Sequence, residues 1–372
     1  MGVLSGTLGA LSHAMPMFAR PVVPFSAQPA RRSLRLQALV VLAVVASLVL
    51  AGCGGDDDDP KEADDRPSSQ PTQGGTTLAA VWPLTGLPAP EGAPKHPVMV
   101  VKIDNSSASE PQVGLGKADM VVEELVEGGI TRLATMFYSK LPETAGPVRS
   151  MRASDIGVVT PTHAVLVASG AAPPTYGRLN AAKVKYFTEG APGMFRNSSR
   201  RAPYNLFMRL PELAKSLKSK PVVPASYLPW GQESEFAGGR PATAIDVRFS
   251  PATTTSFRYN AKSKKYLNTN THASANDQFK ADSVLVLRVR QGDAGYKDPG
   301  GNFVPETLFF GKGQLMLFHN GQVVRGTWSK KKRESPLVLE TAAGEMRVPA
   351  GHVWIELLPR ANDGGSVKFT GR

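Results

Sequence analysis

Cysteine is almost absent from this sequence, because Cys53 is the only cysteine among 372 residues. One cysteine can form no disulfide within the chain, so no disulfide framework supports the fold. If Cys53 is itself modified, no cysteine nucleophile remains either. Any catalytic chemistry would then have to come from hydroxyls, carboxylates, histidines or metal ions.

Histidine is also scarce, and its distribution argues against a metal centre. The sequence contains six histidines, and no two of them stand at the spacing of metal ligands. It also lacks the GxSxG, HExxH, P-loop and GxGxxG patterns of common catalytic and nucleotide-binding sites. We therefore predict neither a metal ion nor a bound cofactor.

The apolar run before Cys53, residues 38–50, is too short to span a bilayer as a permanent helix. It suits the central region of a signal peptide instead, because four arginines and no acidic residue precede it: Arg20, Arg31, Arg32 and Arg35. The run ends in Leu-Ala-Gly-Cys, which resembles the bacterial lipoprotein processing signal, where the cysteine thiol accepts a lipid such as palmitate. We expect a signal peptide over residues 1–52 and a lipid on Cys53. An ordinary signal peptide followed by an unmodified cysteine is the less favoured alternative.

Apolar residues are rare from residue 53 to residue 80, where Gly, Pro, Ser and Asp predominate. Such a composition predicts a disordered acidic linker between the membrane and the folded part. The net charge is +12, and the four arginines before Cys53 account for four of these charges, so the chain from Cys53 onward carries +8. A basic protein outside the cell favours anionic lipid headgroups or wall polymers as partners, and we expect no nucleic acid. The densest basic cluster, residues 330–333, is predicted to be a solvated turn more than a binding site.

The folded part is predicted to be α+β, with a mixed α/β domain over residues 81–235 and a smaller β-rich domain over residues 241–360. Apolar runs and periodicity predict these elements of the first domain: strands at 97–104 and 164–170, and helices at 153–159, 176–187 and 210–220. Beyond residue 235, short alternating segments separated by glycine predict strands. Asn320-Gly321 predicts a type I′ hairpin turn.

Residues 118–152 combine apolar strand-like runs with many charged side chains, which are seldom buried unless they are paired. Gly128-Gly129 favours a two-residue hairpin turn, which would place Glu123 opposite Ala134. Because strand side chains alternate between faces, Glu123, Glu127 and Arg132 would then share one face. Glu124 would point to the other face.

Arg149 and Arg152 follow this hairpin and flank a predicted helix start with Ser150 as its N-cap. Guanidinium groups beside a helix N-terminus favour an anion. The functional interpretation is therefore a polar cleft in which Arg132, Arg149 and Arg152 bind an anion. The alternative is a purely structural network of ion pairs, and the sequence does not favour one over the other.

Several segments together resemble the YerB-like lipoproteins, two-domain envelope proteins of Gram-positive bacteria. These segments are HPVMVVKIDN, VGLGKADMVVEELVEGGITRLATMFYS, GPVRSMR, RRAPYNLF, GTW and GHVWIELLP, and they cover roughly residues 82–359. The family has no established reaction, so the resemblance implies a fold and a location at the cell membrane on its extracytoplasmic face, but no mechanism.

The resemblance also bears on single residues. The recurrent acids of the family match Glu123 and Glu127, whereas Glu124 stands at a variable position. Where relatives are expected to carry Asp and His, this chain has Asn197 and Tyr204. Any acid–base role of those two groups would therefore be lost here.

Two functions remain open from the sequence. The first is a membrane-anchored protein that binds an anionic wall polymer, a peptidoglycan fragment or another protein; its further candidate ligand-binding residues are Asn105, Asn205 and His272. The second is a hydrolase or lyase of wall material with Glu123 or Glu127 as acid or base. A catalytic carboxyl should have a raised pKa and an open side, whereas a structural carboxylate should be paired and ionised.

Overall fold

The computed structural model describes residues 80–218, 222–236 and 238–371, together with Gly2. The predicted signal peptide, the lipidation site at Cys53 and the predicted linker up to residue 79 lie outside the described residues. Within the described ranges, no helix is both long enough and apolar enough to cross a membrane.

The first half of the folded chain contains short helices and the strands of one end of a larger sheet. Its strands are β1 Met99–Asp104, β2 Met120–Leu125, β3 Thr131–Phe137, β4 Val165–Val167, β5 Tyr186–Phe187, β6 Met194–Arg196, β7 Leu206–Met208 and β8 Trp230–Gly231, and its helices are α1 Asp155–Val159, α2 Pro173–Ala181 and α3 Leu210–Ser216. The helix predicted to extend to residue 187 ends at Ala181. Lys183 adopts a left-handed conformation with φ 54°, which ends the helix before β5 begins.

The second half is made of strands, as predicted. They are β9 Arg240–Pro241, β10 Ala244–Arg248, β11 Thr254–Asn260, β12 Lys265–Asn268, β13 Lys280–Ala281, β14 Ser283–Lys297, β15 Phe303–Leu308, β16 Gly311–His319, β17 Gln322–Lys330, β18 Val338–Thr341, β19 Gly344–Glu345, β20 Val348–Pro349, β21 Val353–Pro359 and β22 Ser366–Thr370. Asn320 and Gly321 both have positive φ, at 48° and 73°, between paired His319 and Gln322. The predicted type I′ hairpin is therefore confirmed.

One central sheet runs through both halves of the chain. The order of its main path is β19-β18-β17-β16-β14-β21-β2-β3-β1-β4-β5. The two halves meet where β2 pairs in parallel with β21, with Met120 opposite Val353 and Glu123 opposite Glu356. The sequence predicted a change of pattern near residue 235, and that change is present, but the hydrogen-bonded sheet continues across it.

The two faces of the central sheet carry two hydrophobic cores. On the first face, Val122 and Ile355 pack with apolar residues of α1 and α2, such as Val158 and Leu179. The second face is covered by α3 and by a five-stranded sheet of order β13-β12-β11-β10-β22. Each core contains residues from both halves of the chain.

The predicted register of the β2–β3 hairpin is wrong by one residue. The turn has three residues, Glu127–Gly129, so Leu125 faces Thr131 and Glu123 faces Leu133. Because strand side chains alternate, this shift moves Arg132 to the face of Glu124 and separates it from Glu123. Glu123 therefore lies on the opposite side of the sheet from Arg132 and Glu124.

Candidate functional site

The first polar cluster joins Glu127 to two arginines on the first face of the sheet. Arg132 Nη2 donates to Glu127 Oε1 at 3.0 Å, and Arg152 binds the same carboxylate through Nε at 3.0 Å to Oε2 and through Nη2 to Oε1. One further nitrogen of each guanidinium donates to the backbone: Arg132 Nη1 lies 3.1 Å from the Ser150 carbonyl oxygen and Arg152 Nη1 lies 2.9 Å from that of Met151. The predicted contact between Glu127 and Arg132 is present.

The electrostatics of this cluster are those of a paired, ionised carboxylate. Burial alone would raise the pKa of Glu127, but the positive charges of Arg132 and Arg152 outweigh burial and hold that pKa below its usual value. Burial, reinforced by the charge of Arg152, lowers the pKa of Arg132 to about 10, so its guanidinium is still charged at neutral pH. A structural carboxylate is expected to be paired and ionised, and Glu127 has both features.

Deeper on the same face lies a buried triad of charges that sequence analysis missed. Lys102 Nζ lies 2.6 Å from Glu124 Oε1 and 2.8 Å from Asp155 Oδ1, and all three side chains are buried. Burial lowers the pKa of Lys102, but the two carboxylates more than compensate and raise it. Burial raises the pKa of Asp155 to about 6, against the opposing effect of Lys102. A single lysine within the apolar strand PVMVVKID was the available signal, since a buried charge requires partners.

The start of α1 differs from the prediction. Ser154, not Ser150, precedes the first helical residue, and its side chain forms no capping hydrogen bond. The Asp155 carboxylate instead accepts a hydrogen bond from the Arg152 backbone N–H at 2.7 Å. Asp155 therefore ties the segment that carries Arg152 to the helix.

Glu123 lies on the second face, fully buried beside Glu356 of β21. Its Oε1 accepts from Asn105 Nδ2 at 3.1 Å and from Thr255 Oγ1 at 2.8 Å, and its Oε2 accepts from the Trp354 indole at 3.2 Å. Within the part of the chain that the structure describes, neither carboxyl oxygen of Glu356 has a donor in hydrogen-bonding geometry. The donors therefore favour an ionised Glu123 and leave Glu356 as the protonated member of the pair.

Burial raises the pKa of both carboxyls of this pair. For Glu356 the negative charge of Glu123 adds to burial, and the pKa lies well above its usual value. Asn105 and Thr255, which both donate hydrogen bonds to Glu123, also line a cavity of about 340 Å³. His272 lines the same cavity, so two of the predicted ligand-binding residues come together there.

Arg149 occupies a different place from the other two arginines. Its Nε lies 3.1 Å from Asp104 Oδ2, its guanidinium lies over the Tyr204 ring at 5.2 Å from the centroid, and 21% of its side chain is exposed. Tyr204 lines a cavity of about 970 Å³. Arg149 therefore adjoins this cavity through Tyr204 without lining it itself.

The walls of this large cavity are rich in polar and basic groups. Asn197, Arg200, Arg201 and Glu110 line it with Tyr204. Arg200 donates to the backbone carbonyl oxygens of residues 109, 110 and 111, so its charge is not neutralised by a carboxylate there. Glu110 Oε1 lies within hydrogen-bonding distance of His272 Nδ1, at 2.7 Å. These contacts leave arginines in excess over carboxylates around the cavity.

The structure thus distributes the predicted site residues over three places. Glu127, Arg132 and Arg152 form one network; Glu123 and Asn105 belong to the opposite face; Arg149 stands at the large cavity. Asn205 lies near that cavity but binds Arg196 Nη1 through its side-chain oxygen at 2.7 Å. Within the described ranges, no group of three or more His, Cys, Asp or Glu residues is arranged to hold a metal ion.

Comparison with known proteins identifies relatives over most of the folded part. Two family domains match, described as protein of unknown function (DUF3048) N-terminal domain over residues 84–223 and C-terminal domain over residues 245–355. A curated relative named "Putative lipoprotein YerB", from Bacillus subtilis (strain 168), is 24% identical over 293 residues, which is 74% of this chain and 86% of that protein. The crystal structure of the Bacillus subtilis YerB protein matches with a TM-score of 0.65 at 21% identity, over 78% of this chain and 99% of the other. These matches confirm the resemblance drawn from the sequence motifs and the two-domain α+β fold.

Proposed function

This chain belongs to the DUF3048 family, and from that premise we propose that it is a membrane-anchored lipoprotein that binds an anionic ligand of the cell envelope. A lipid on Cys53 would hold it at the extracytoplasmic face of the membrane, as the name of its curated relative suggests for that protein. The ligand would be a wall polymer or a peptidoglycan fragment. The binding site would be the large cavity beside Arg149.

The observation that carries this proposal is the position of Arg149. Its guanidinium is partly exposed and stacked over Tyr204, which lines the 970 Å³ cavity. A planar guanidinium fixed by an aromatic ring is preorganised for the two oxygens of a carboxylate or phosphate. Arg149 is paired with Asp104 but keeps 21% of its side chain exposed, whereas Arg132 and Arg152 are 3% and 10% exposed and share the Glu127 carboxylate.

The charges around the cavity support an anion. Arg200 and Arg201 line the cavity together with a single carboxylate, Glu110, and the neighbouring Arg149 is paired with Asp104. The Glu110 carboxylate is itself engaged by His272. The excess positive charge of the chain from Cys53 onward would strengthen the attraction over longer distances.

The geometry favours binding over the enzymatic alternative. A Glu123–Glu127 pair would have to flank one bond of the substrate, but β2 places Glu123 on the second face while Glu127 binds arginines of the first. Glu127 is ionised and paired, and Glu123 is fully buried. The two carboxyls are therefore poorly placed to act together as acid and base.

The test is a sedimentation assay with purified cell wall and residues 54–372, in which bound protein and released fragments are both measured. We expect Arg149→Ala to weaken wall binding by about tenfold or more, as the loss of one charge-assisted contact requires. Arg240→Ala is the matched control, because Arg240 is exposed and also lies over an aromatic ring, that of Phe369. Equal binding by Arg149→Ala and the parent would contradict the proposal. If the parent releases wall fragments and Glu123→Gln does not, the enzymatic alternative is supported instead.

A further inference from the structure

A second basic site lies on the loop that follows β17, at the cluster predicted to be a solvated turn. Hydrogen bonds within this loop fix its shape: buried Lys330 Nζ donates to the Ser335 carbonyl oxygen at 2.6 Å, and the Lys332 N–H donates to Ser335 Oγ at 3.1 Å. The Ser335 N–H donates back to the Lys332 carbonyl oxygen at 3.2 Å. The backbone of the loop is therefore held in a turn from which the exposed Lys331 and Lys332 side chains project.

Glu306 of β15 draws two guanidinium groups together beside this loop. Its Oε1 accepts from Arg178 Nη2 at 2.5 Å and from Arg333 Nη2 at 3.0 Å, and only 6% of its side chain is exposed. The Arg333 guanidinium also lies over the Phe310 ring at 4.5 Å from the centroid. One buried carboxylate thus positions two arginines that come from distant parts of the chain.

These arginines face a cavity of about 540 Å³ whose remaining polar lining is also mainly basic. Lys331, Lys332 and Glu334 complete the polar wall. Its apolar remainder consists of Ile156, Ala181, Ala182 and Phe310. Four positive charges, counting Arg178 and Arg333, are opposed by Glu306 and Glu334. The site is left with an excess of two positive charges around an open space.

We propose that this cavity, which the Arg178–Glu306–Arg333 bridge and the 331–335 loop build together, is a binding site for a phosphate group. A phosphate dianion would balance the excess charge, and two forked guanidiniums with two ammonium groups match its tetrahedral set of acceptor oxygens. The cavity has room for an alkyl or glycerol substituent beside the apolar wall. The phosphate could be free in solution or belong to a lipid headgroup, and the two sources share this chemistry.

The first part of the test measures affinity by isothermal titration of residues 54–372 with inorganic phosphate and with glycerol phosphate at low ionic strength. We expect the double variant Lys331→Ala/Lys332→Ala and the single variant Arg333→Ala each to weaken binding by about tenfold or more. The lysine double variant leaves the Glu306 bridge and the loop hydrogen bonds intact, so it retains the fold. Lys262→Ala, an exposed lysine on the turn between β11 and β12, should bind like the parent.

The second part separates the two sources with vesicles of phosphatidylcholine alone and vesicles that also contain phosphatidylglycerol. If the parent cosediments with the anionic vesicles and the lysine double variant does not, the site is assigned to lipid headgroups. Phosphate binding in solution without vesicle binding assigns it to free phosphate. If neither probe binds, or if the site variants bind as the parent does, the proposal is wrong. Arg149→Ala is scored separately in the cell-wall sedimentation assay, so this outcome is distinct from failure of the proposed wall-binding function.

Discussion

At the scale of single residues, the most informative feature is the pair of buried carboxyls on the second face. Donors from Asn105, Thr255 and Trp354 all point at Glu123, and none is in hydrogen-bonding geometry with Glu356 in the described structure. Two ionised carboxylates side by side in an apolar interface would repel each other strongly. The fold is therefore stable with one proton on the pair, held by Glu356.

The variant Glu356→Gln tests this assignment through the pH dependence of stability. The unfolded carboxyl ionises near 4.5, whereas burial and the charge of Glu123 raise the folded pKa well above that value. Between these two pKa values the folded chain retains a proton that the unfolded chain has lost, so the parent loses stability as pH rises. Glutamine cannot ionise, so the free energy of unfolding of the variant relative to the parent should increase by about 1.4 kcal/mol per pH unit across that window.

Urea unfolding at several pH values between 5 and 8 measures this difference. Glu345→Gln is the matched control, since Glu345 is exposed, and its curve should run parallel to that of the parent. A parallel curve for Glu356→Gln as well would mean that Glu356 is ionised in the folded protein, contrary to the assignment.

At the scale of elements, the β2–β3 hairpin decides which charges meet. Its three-residue turn places Gly128 and Gly129 at φ 72° each, a conformation that residues with a Cβ rarely adopt. The turn brings Glu127 back over Arg132 and Arg152. A change in this turn should therefore act on the ion-pair network as well as on the hairpin.

A pair of glycine variants isolates the cost of the turn conformation. A Cβ at Gly128 would meet no atom within 4 Å, so Gly128→Ala should destabilise by the strain of positive φ alone, about 1 kcal/mol. Gly177 in α2 also has open space but an ordinary helical conformation, so Gly177→Ala should stabilise by about 0.5–1 kcal/mol. Thermal unfolding of both variants measures the two effects, and equal effects of the same sign would argue against the assigned turn.

The hairpin also shows how far sequence patterns determine the site. The presence of both strands and of a glycine turn followed from local residue types, and both are observed. The length of the turn did not, because Gly-Gly suits two-residue and three-residue loops alike, and one residue of difference exchanges the faces. Lys102 contacts Glu124 across the intervening strand β3. Glu123 lies beside Glu356, which is 233 positions later in the sequence. Both contacts depend on a strand order that no local pattern encodes.

At the scale of the whole molecule, the parallel pairing of β2 with β21 joins the two family domains into one sheet. Both strands are buried almost throughout, and each would expose an unpaired apolar edge without the other. The two cores are shared in the same way, since Val122 packs with Ile355 in one core and Val121 with Trp354 in the other. The composition change near residue 235 was visible in the sequence, but this dependence between the halves was not.

Separating the halves should therefore abolish the folding of each. We expect residues 80–240 and 241–371, expressed apart, to show no cooperative thermal transition, because each lacks the strand that completes its sheet and half of both cores. An equimolar mixture should recover part of the circular dichroism signal of the intact chain. In the intact chain, tryptophan fluorescence and circular dichroism should report one coincident transition, since Trp82 and Trp354 lie in different halves of one cooperative unit. A cooperative transition of either isolated half, or two separate transitions in the intact chain, would show that the shared sheet does not couple the domains.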